Sequence, residues 1–230
     1  MDSSTSAGSS LIKLDNISRM YKTNKDQVGA IKNVSFAVNQ GESIAITGPS
    51  GSGKSTLLQL IGCLDKPTSG SVYIGTKRVN NLSDANLSEL RNNTIGFVFQ
   101  SFYLQPFLCV EDNIAVPAMF SNKKPAVIKE KVKWLLDEVG LADRAKHFPN
   151  ELSGGEAQRA AIARSLINEP SIILADEPTG NLDSANSQSI VDLFKKIRDS
   201  LGTTVVIVTH NSEVAAQADR AITLKDGELV

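Results

Sequence analysis

The sequence has few cysteines, few aromatic residues and no excess of charge of either sign. Its two cysteines, Cys63 and Cys109, lie far apart, which argues against a disulfide framework or a cysteine metal site. We expect both to be small buried side chains in a reducing compartment. The formal net charge of −1 offers no basic surface for nucleic acid, so no nucleic-acid partner is expected.

Long apolar runs are missing as well. No run approaches the ~20 residues of a membrane-spanning helix, and the first residues do not resemble a signal peptide. Residues 1–10 are rich in Ser, Thr, Gly and Ala, which predicts a flexible tail. With 41% hydrophobic residues in the chain, residues 11–230 can form one large domain or a core with a subdomain. These features predict a soluble cytoplasmic protein and are compatible with a membrane partner.

What the sequence does contain is a glycine-rich loop between a strand pattern and a helix pattern. Residues 43–47 form a short β-branched apolar run that predicts a buried strand, and residues 57–61 favour a helix. The loop between them matches G-x-x-x-x-G-K-[ST], a phosphate-binding pattern that requires this context. The loop consists of Gly48, Pro49, Ser50, Gly51, Ser52, Gly53, Lys54, Ser55 and Thr56.

The residue types of this loop suit the binding of a nucleoside triphosphate. Glycines let the backbone approach a phosphate closely, and the N–H groups of a helix start attract anions. Lys54 adds a positive charge worth on the order of 5 kcal/mol per phosphate charge at ~3 Å and an effective dielectric constant near 20, before desolvation. Ser55 offers a hydroxyl to a Mg²⁺ ion that bridges the outer phosphates. The alternative is an ordinary Gly/Ser-rich turn, which the flanking strand and helix disfavour.

A second strand pattern ends in two adjacent acids. Residues 172–175 are apolar and are followed by Asp176 and Glu177. A buried strand cannot hold carboxylates cheaply unless cations meet them, and open α/β sheets bind ligands at this end of their strands. Asp176 is therefore predicted to hold Mg²⁺ through its water shell, and Glu177 to act as general base on the attacking water. Pro178 favours an extended backbone at Glu177. A solvated acidic turn is the alternative.

Gln100 and His210 each end a further apolar strand pattern. In a parallel sheet both would face the same edge as Asp176. There Gln100 would touch the metal ion or the attacking water, and His210 would donate to the γ-phosphate. Each signal is weak by itself, since a lone histidine is more often merely hydrogen-bonded than catalytic. With Glu177 and Lys54, these two residues complete the predicted catalytic set.

A second glycine motif follows Leu152 and consists of Ser153, Gly154, Gly155 and Glu156. It precedes an alanine-rich helix pattern at residues 157–166. A small helix start can approach a phosphate closely. By itself the motif is more simply interpreted as a helix cap at Ser153. The glycine loop already provides one phosphate site, so it does not explain the presence of a second glycine motif.

The rest of the chain divides into strand-rich and helix-rich parts. Short strand patterns at residues 11–14, 33–38 and 71–74 predict a small antiparallel sheet beside a parallel core. From residue 101 to about residue 165 we expect a helical subdomain. An apolar stripe at helical spacing in this part consists of Ile128, Val132, Leu135, Leu136 and Val139.

Taken in chain order, these motifs resemble those of the nucleotide-binding subunits of ABC transporters. The resemblance covers residues 11–230 and includes the glycine loop, Gln100, the second glycine motif, the acid pair, residues 181–183 and His210. It implies an α/β fold with a P-loop NTPase core, in which helices flank a mostly parallel sheet. An antiparallel β subdomain and an α-helical subdomain complete this ABC ATPase fold. ATP and Mg²⁺ are the implied cofactors.

The resemblance also implies roles that the patterns alone do not assign. Two copies would meet head to tail around two ATP molecules, and the helix start at Ser153 and Gly155 would cap the γ-phosphate bound by the other copy. Tyr21 matches the aromatic residue that stacks on adenine in this family. Asp183 matches a loop that crosses the dimer interface.

A membrane partner is implied too, either an integral membrane permease subunit or a fused membrane domain. Residues 101–117, which include Phe102, Tyr103, Phe107 and Leu108, match the region that receives the coupling segment of the transmembrane subunit. Packing of these side chains in the core is the alternative. The protein would then lie on the inner face of the cell membrane.

Two positions depart from the family pattern. Glu156 stands where the family has Gln, and we expect activity to survive because the preceding Ser-Gly-Gly carries the phosphate contact. Asn211 follows His210 where Asp is usual, which leaves the setting of the histidine open. Because the acid pair is intact, the chain is expected to hydrolyse ATP.

Three classes of function compete at this stage. Residues 62–70 and 175–183 are similar to those of the MacB/LolD branch, which serves macrolide and peptide export and lipoprotein release. An FtsE-like signalling or mechanotransmission ATPase that moves no substrate is the alternative within the same branch. Soluble ABC ATPases of DNA repair or translation are disfavoured. The former carry a long coiled coil and the latter join two such domains in one chain, and the sequence has neither feature.

Overall fold

The computed structural model describes residues 10–22 and 27–230. The predicted flexible tail lies outside the described residues except for Ser10, which begins the first strand. The strands are β1 (Ser10–Lys22), β2 (Gln27–Asn39), β3 (Ser43–Thr47), β4 (Ser69–Ile74), β5 (Lys77–Arg78), β6 (Ile95–Phe99), β7 (Ile172–Asp176), β8 (Thr204–Val208), β9 (Arg220–Lys225) and β10 (Glu228–Leu229). The helices are α1 (Lys54–Ile61), α2 (Asp84–Thr94), α3 (Val110–Ala115), α4 (Pro125–Glu138), α5 (Gly154–Leu166), α6 (Ser184–Leu201) and α7 (Ser212–Ala215). Short 3-10 helices lie at Val79–Asn81, Val116–Phe120, Ala142–Arg144 and Pro149–Glu151.

The larger sheet contains the glycine loop and the acid pair. Its strand order is β10-β9-β3-β8-β7-β6, and all neighbours are parallel except β10 and β9. Strands β3, β7 and β8 are almost completely buried. Their sequences are continuous apolar runs because a parallel sheet is covered on both faces.

This sheet separates two hydrophobic clusters. In β7, Ile172 and Leu174 belong to the cluster that contains the apolar side of α1, whereas Ile173 and Ala175 belong to the cluster that contains α5 and α6. The alternation follows from the two-residue period of a strand. The predicted helical stripe is confirmed, because four of its members are buried in the second cluster and Ile128 packs at its edge.

The smaller sheet is antiparallel, as predicted, with the order β2-β1-β4-β5. Strands β1 and β2 have 13 residues each and are longer than their apolar patterns predicted. In β1 only Ile12, Leu14 and Ile17 are buried, and the backbone ladder continues beyond them to the pair Lys22 and Gln27. The backbone pairing therefore extends the strands through polar residues that carry no apolar signal. The two sheets agree with the predicted fold class, a mostly parallel core beside an antiparallel β subdomain.

The two cysteines differ in their surroundings. Cys63 is buried, as predicted, and burial raises the pKa of its thiol to about 11. The prediction of burial is wrong for Cys109, which is half-exposed at the start of α3 and donates from Sγ to Asp112 Oδ2 at 3.0 Å. A helix start at the surface explains this exposure.

Within residues 10–22 and 27–230, no helix combines the length and the apolar character that crossing a membrane requires.

Candidate nucleotide site

The carboxyl ends of four parallel strands meet at one edge of the larger sheet. The register places Asp176 of β7 beside Phe99 of β6 and Val208 of β8, and Val208 lies beside Ile46 of β3. The residues that follow these strands therefore share this edge, as the prediction for a parallel sheet required. They are Gly48, Gln100, Glu177 and His210.

Steric contacts explain two glycines of the loop. At Gly48, φ is 141° and a Cβ atom would lie 2.0 Å from the Leu224 carbonyl oxygen. At Gly53, φ is 103° and a Cβ atom would lie 2.3 Å from the Ala30 carbonyl oxygen. Both positions require glycine for the fold itself, in addition to any approach of phosphate. Gly51 also has a positive φ, but a Cβ atom there would meet open space.

Lys54 is held over the loop by two main-chain carbonyl groups. Its Nζ donates to Gly48 O and to Pro49 O, both at 2.9 Å. The side chain is buried although it carries a positive charge. An ammonium group has three donors, so one hydrogen remains to be directed at a phosphate oxygen. Ser52 Oγ is buried nearby without a hydrogen-bond partner, which fits a loop that a ligand completes.

Ser55 and Asp176, the predicted metal-binding pair, lie in contact, and their metal role stays a prediction. Ser55 Oγ donates to Asp176 Oδ1 at 3.3 Å, which brings the first turn of α1 against the end of β7. Burial raises the pKa of the Asp176 carboxyl group, and the nearby Glu177 raises it further, whereas Ser55 and Lys54 oppose the rise. A hydroxyl and a carboxylate beside a phosphate-binding loop are the oxygen donors that Mg²⁺ prefers. The residues therefore fit this ion.

Glu177 is fixed by the next strand and by His210. Its N–H donates to Val208 O at 2.9 Å, and its Oε1 lies 2.9 Å from His210 Nδ1. Because a carboxylate only accepts, Nδ1 carries the hydrogen in this contact, and Nε2 can donate to a phosphate only when the ring is protonated. The predicted extended backbone at Glu177 is wrong, since φ is 47°. The contact with Val208 and the bond to His210 outweigh the local preference that Pro178 imposes.

Gln100 reaches the edge of the site but is held by a residue that the sequence analysis did not assign. Gln100 Nε2 donates to Asn181 Oδ1 at 3.2 Å, and Asn181 Nδ2 donates back to Gln100 O at 3.0 Å. A Cβ atom on Gly180 would lie 2.8 Å from Gln100 Nε2. The contact of Gln100 with a metal ion or water stays a prediction. Asn181 was visible only as part of the motif at residues 181–183.

Tyr21, the predicted adenine-stacking residue, is part of a small polar cluster. Its hydroxyl donates to Asp65 Oδ2 at 2.8 Å, and the Arg19 guanidinium lies 4.6 Å from the centre of its ring. Arg19 also pairs with Asp65 at 2.8 Å. Since Asp65 follows α1, these contacts connect the end of β1 to the segment after the glycine loop helix. The stacking role of Tyr21 stays a prediction, and the sequence analysis assigned no role to Arg19 or to Asp65.

The second glycine motif forms the start of α5. Ser153 is the N-cap, and its Oγ accepts from Glu156 N at 3.3 Å. Glu156 Oε2 accepts from Ser153 N and from Ser153 Oγ, both at 2.8 Å, which completes a capping box. Arg144 Nε lies 3.0 Å from Glu156 Oε1. The hydrogen bonds from Ser153, with help from Arg144, lower the pKa of Glu156 to about 2.

Two close approaches relate this helix start to the loop after β7 and to the first turn of α6. A Cβ atom on Gly154 would lie 3.3 Å from the Leu182 side chain, and one on Gly155 would lie 2.4 Å from Asn186 Oδ1. Asp183 is the N-cap of α6 and accepts from Asn186 N at 2.8 Å, and this bond lowers the pKa of its carboxyl group. The interface role of Asp183 stays a prediction.

Comparison with known proteins gives consistent matches. The family model described as ABC transporter matches residues 31–180. The uncharacterized ABC transporter ATP-binding protein MJ0796 of Methanocaldococcus jannaschii is 48% identical over 223 residues, covering 95% of each chain. The uncharacterized ABC transporter ATP-binding protein YvrO of Bacillus subtilis is 45% identical, covering 96% of each. A solved dimeric structure of a post-hydrolysis state of the MJ0796 cassette, bound to ADP and Pi, superposes with a TM-score of 0.88 at 45% identity, covering 95% of this chain and 96% of that one.

Proposed function

The chain belongs to the ABC transporter family of ATP-binding proteins, and on that premise we propose that two copies close head to tail around two ATP molecules and thereby drive a membrane-embedded partner. Its enzymatic activity is ATP hydrolysis. The dimer, the Mg²⁺ ion, the partner and the position on the cytoplasmic face of a membrane are parts of the proposal.

One observation supports the proposed dimer. The chain contains two glycine-rich helix starts of the kind that bind phosphate: the first, at Lys54, has Ser55 bonded to Asp176 at the strand edge, whereas the second, at Ser153, is packed near Leu182 and Asn186. The second, at Ser153, makes its capping contacts with Glu156, which in turn pairs with Arg144. A nucleotide on the strand edge of one copy would be sealed by Ser153 of the other. The relative MJ0796 has been solved as a dimer with ADP and Pi bound.

Each residue of the strand edge then has a chemical task. The loop N–H groups and the free hydrogen of Lys54 bind the phosphates. Ser55 and Asp176 would hold Mg²⁺, which supplies neutralisation of the outer phosphate charge when it is bound. Glu177 orients the attacking water and accepts its proton, and the 2.9 Å bond from His210 keeps the carboxylate in place for that step.

A groove beside β6 is the proposed seat of the membrane partner. This groove has a volume of about 1170 Å³, and its lining includes Leu64, Tyr103 and Phe120. These three side chains are strongly exposed, as is Phe107. Core packing therefore does not account for Tyr103 and Phe107, and we assign the groove to the coupling segment of the membrane partner. An exposed apolar surface of this kind is typical of a protein interface.

We assign the partner to the export and extraction class of the MacB/LolD branch. Residues 62–70 and 175–183 support this assignment through their similarity to that branch. The cargo would then be a drug, a peptide or a lipoprotein that leaves the membrane or the cell.

The substitution Glu177→Gln tests the dimer. We expect it to retain ATP binding but to lower ATP turnover about a hundredfold or more, because the amide cannot accept the proton of water. The ATP-bound dimer should therefore accumulate, and gel filtration with light scattering in the presence of ATP measures it. A variant that stays monomeric while it binds ATP would contradict the split site. The double variant Glu177→Gln, Lys54→Ala is the matched control and should remain monomeric.

A further inference from the structure

The second glycine motif carries a negative charge at the place where its proposed ligand is an anion. Glu156 is in the first turn of α5, and its carboxylate accepts two hydrogen bonds from Ser153. These bonds keep it ionised, with a pKa of about 2. A helix start attracts anions through its free N–H groups, but a carboxylate in the first turn offsets this attraction.

The same carboxylate also occupies the hydroxyl group of Ser153. A serine hydroxyl has one hydrogen to donate, and Ser153 Oγ donates it to Glu156 Oε2 at 2.8 Å. To donate to a phosphate, Ser153 must release this bond. The strength with which Glu156 holds the hydrogen therefore sets part of the free energy needed to engage a nucleotide.

Arg144 is placed to relieve both effects. It lies in the 3-10 helix Ala142–Arg144, outside α5, and its Nε is 3.0 Å from Glu156 Oε1. Its positive charge offsets the negative charge of the carboxylate, which would otherwise repel an incoming phosphate. A hydrogen bond from Nε to Oε1 also draws charge away from Oε2, the oxygen that holds Ser153.

We propose that Arg144 is a positioning residue for dimer closure, which acts through Glu156 to free and orient Ser153 for the phosphate bound by the second copy. This inference rests on the proposed split site and identifies a residue outside the glycine motif on which that site depends. Arg144 itself touches no nucleotide in this arrangement.

The test measures ATP-induced dimerisation in the Glu177→Gln background, by sedimentation over a range of protein concentrations. The substitution Arg144→Gln leaves an uncompensated carboxylate facing a triphosphate, so we expect the dimer dissociation constant to rise about tenfold. ATP affinity of the monomer, measured by titration below the dimerisation range, should stay unchanged. Arg144→Lys should restore part of the dimerisation, because it keeps the charge but not the planar donor geometry.

The variant Glu156→Gln completes a double-mutant cycle. It removes the charge that Arg144 compensates, so Arg144→Gln should have little further effect in this background. If Arg144→Gln weakens dimerisation equally with and without Glu156→Gln, Arg144 acts independently of Glu156, which overturns the inference. Lys131→Gln is the matched control, because it removes a 2.8 Å ion pair with Glu169 and leaves Glu156 intact. It should not change dimerisation.

A measurement on the nucleotide-free monomer separates this inference from the proposed dimer. Arg144→Gln should change amide hydrogen exchange in the first turn of α5, where the Glu156 N–H bonds to Ser153, and Lys131→Gln should not. If the parent Glu177→Gln protein does not dimerise with ATP, the proposed function fails. If the parent dimerises and Arg144→Gln dimerises equally well, or if exchange in this turn is unaltered, the role of Arg144 fails alone.

Discussion

The strand edge and the start of α5 both present helix N-terminal groups suited to phosphate, but they are built over very different sequence distances. Ser55 and Asp176 are 121 residues apart in the chain, and Glu177 and His210 are 33 residues apart. Ser153 and Glu156 are neighbours in one helical turn. The strand edge therefore exists only when the sheet has formed, whereas the start of α5 is organised mainly within its own turn.

This difference separates the two tasks of the proposed cycle. The strand edge holds charged groups that need partners, such as buried Lys54 and the half-buried Asp176. In the proposed function these groups receive the triphosphate. The start of α5 has its cap satisfied before any ligand arrives. We infer that the first region binds nucleotide by itself and that the second becomes functional on closure.

The largest expected effect is the loss of nucleotide binding in Lys54→Ala. The substitution removes the buried positive charge and the two bonds that hold the carbonyl groups of Gly48 and Pro49. We expect ATP affinity to fall about a hundredfold or more, since an ion pair with phosphate in a partly buried site is lost. Titration of the monomer with a fluorescent ATP analogue measures it.

Ser153→Ala is the control for the comparison of the two regions. It should leave ATP affinity of the monomer unchanged while it weakens dimerisation. Equal affinity of Lys54→Ala and the parent protein would remove the role assigned to the lysine. A loss of monomer affinity in Ser153→Ala would show that the two regions are not independent.

Alanine substitutions of glycines in the two regions should lower the unfolding free energy by different amounts. In Gly48→Ala the new Cβ atom would lie 2.0 Å from a backbone oxygen that cannot move aside, so we expect a loss of about 3 kcal/mol in unfolding free energy. In Gly155→Ala the nearest atom is Oδ1 of the Asn186 side chain, which can rotate, so about 1 kcal/mol is expected. Urea unfolding of the nucleotide-free protein measures both.

Gly51→Ala is the matched control for the glycine loop. Its φ is also positive, but a Cβ atom there would meet no neighbour within 4 Å, so only the backbone strain of about 1 kcal/mol should remain. Similar losses in Gly48→Ala and Gly51→Ala would argue against the steric contact with Leu224 as the reason for Gly48.

The smallest expected effect concerns pH. Hydrogen bonds from Ser153 lower the pKa of Glu156 from 4.5 in the unfolded chain to about 2 in the folded one. The folded state therefore binds the proton less readily, and the capping box stabilises the protein fully above pH 4.5 and loses its contribution as the pH falls towards 2. Because the group is near the surface, this contribution should stay below about 1 kcal/mol.

Urea unfolding of the parent protein and of Glu156→Gln across this pH range measures the effect. The difference in unfolding free energy between them should shrink as the pH falls from 4.5, since the amide does not titrate. A constant difference would mean that the carboxylate of Glu156 does not stabilise the folded state through the capping box. The strand edge should not contribute to this difference, because Glu156 makes its contacts within the start of α5 and with Arg144.

Sequence reasoning identified the main residues of both regions but missed some of their partners. The continuous apolar runs before Gly48, Asp176 and His210 indicated buried parallel strands, and the shared edge followed from that topology. The capping role of Ser153 followed from its position before an alanine-rich helix. These features depend on local pattern, so they could be predicted.

Contacts between distant segments were missed for a physical reason. Asn181 accepts a hydrogen bond from Gln100, which lies 81 residues away in the chain. Asp65 accepts a hydrogen bond from the hydroxyl group of Tyr21, which lies 44 residues away. Polar residues in loops have no periodicity, and their partners are chosen by the packed fold. The positive φ of Glu177 is a related case, because a local rule for Pro178 gave way to the bond between Glu177 N and Val208 O.

The amino-acid sequence by itself determined the strand–loop–helix of the glycine motif, the acid pair at a strand end and the family to which the chain belongs, because these depend on residue types at fixed short spacings. Only the tertiary structure decided that Ser55 meets Asp176, that His210 contacts Glu177 and that Arg144 pairs with Glu156. Such pairs form between segments whose approach is set by strand order and helix packing, and these are properties of the whole core rather than of any one stretch.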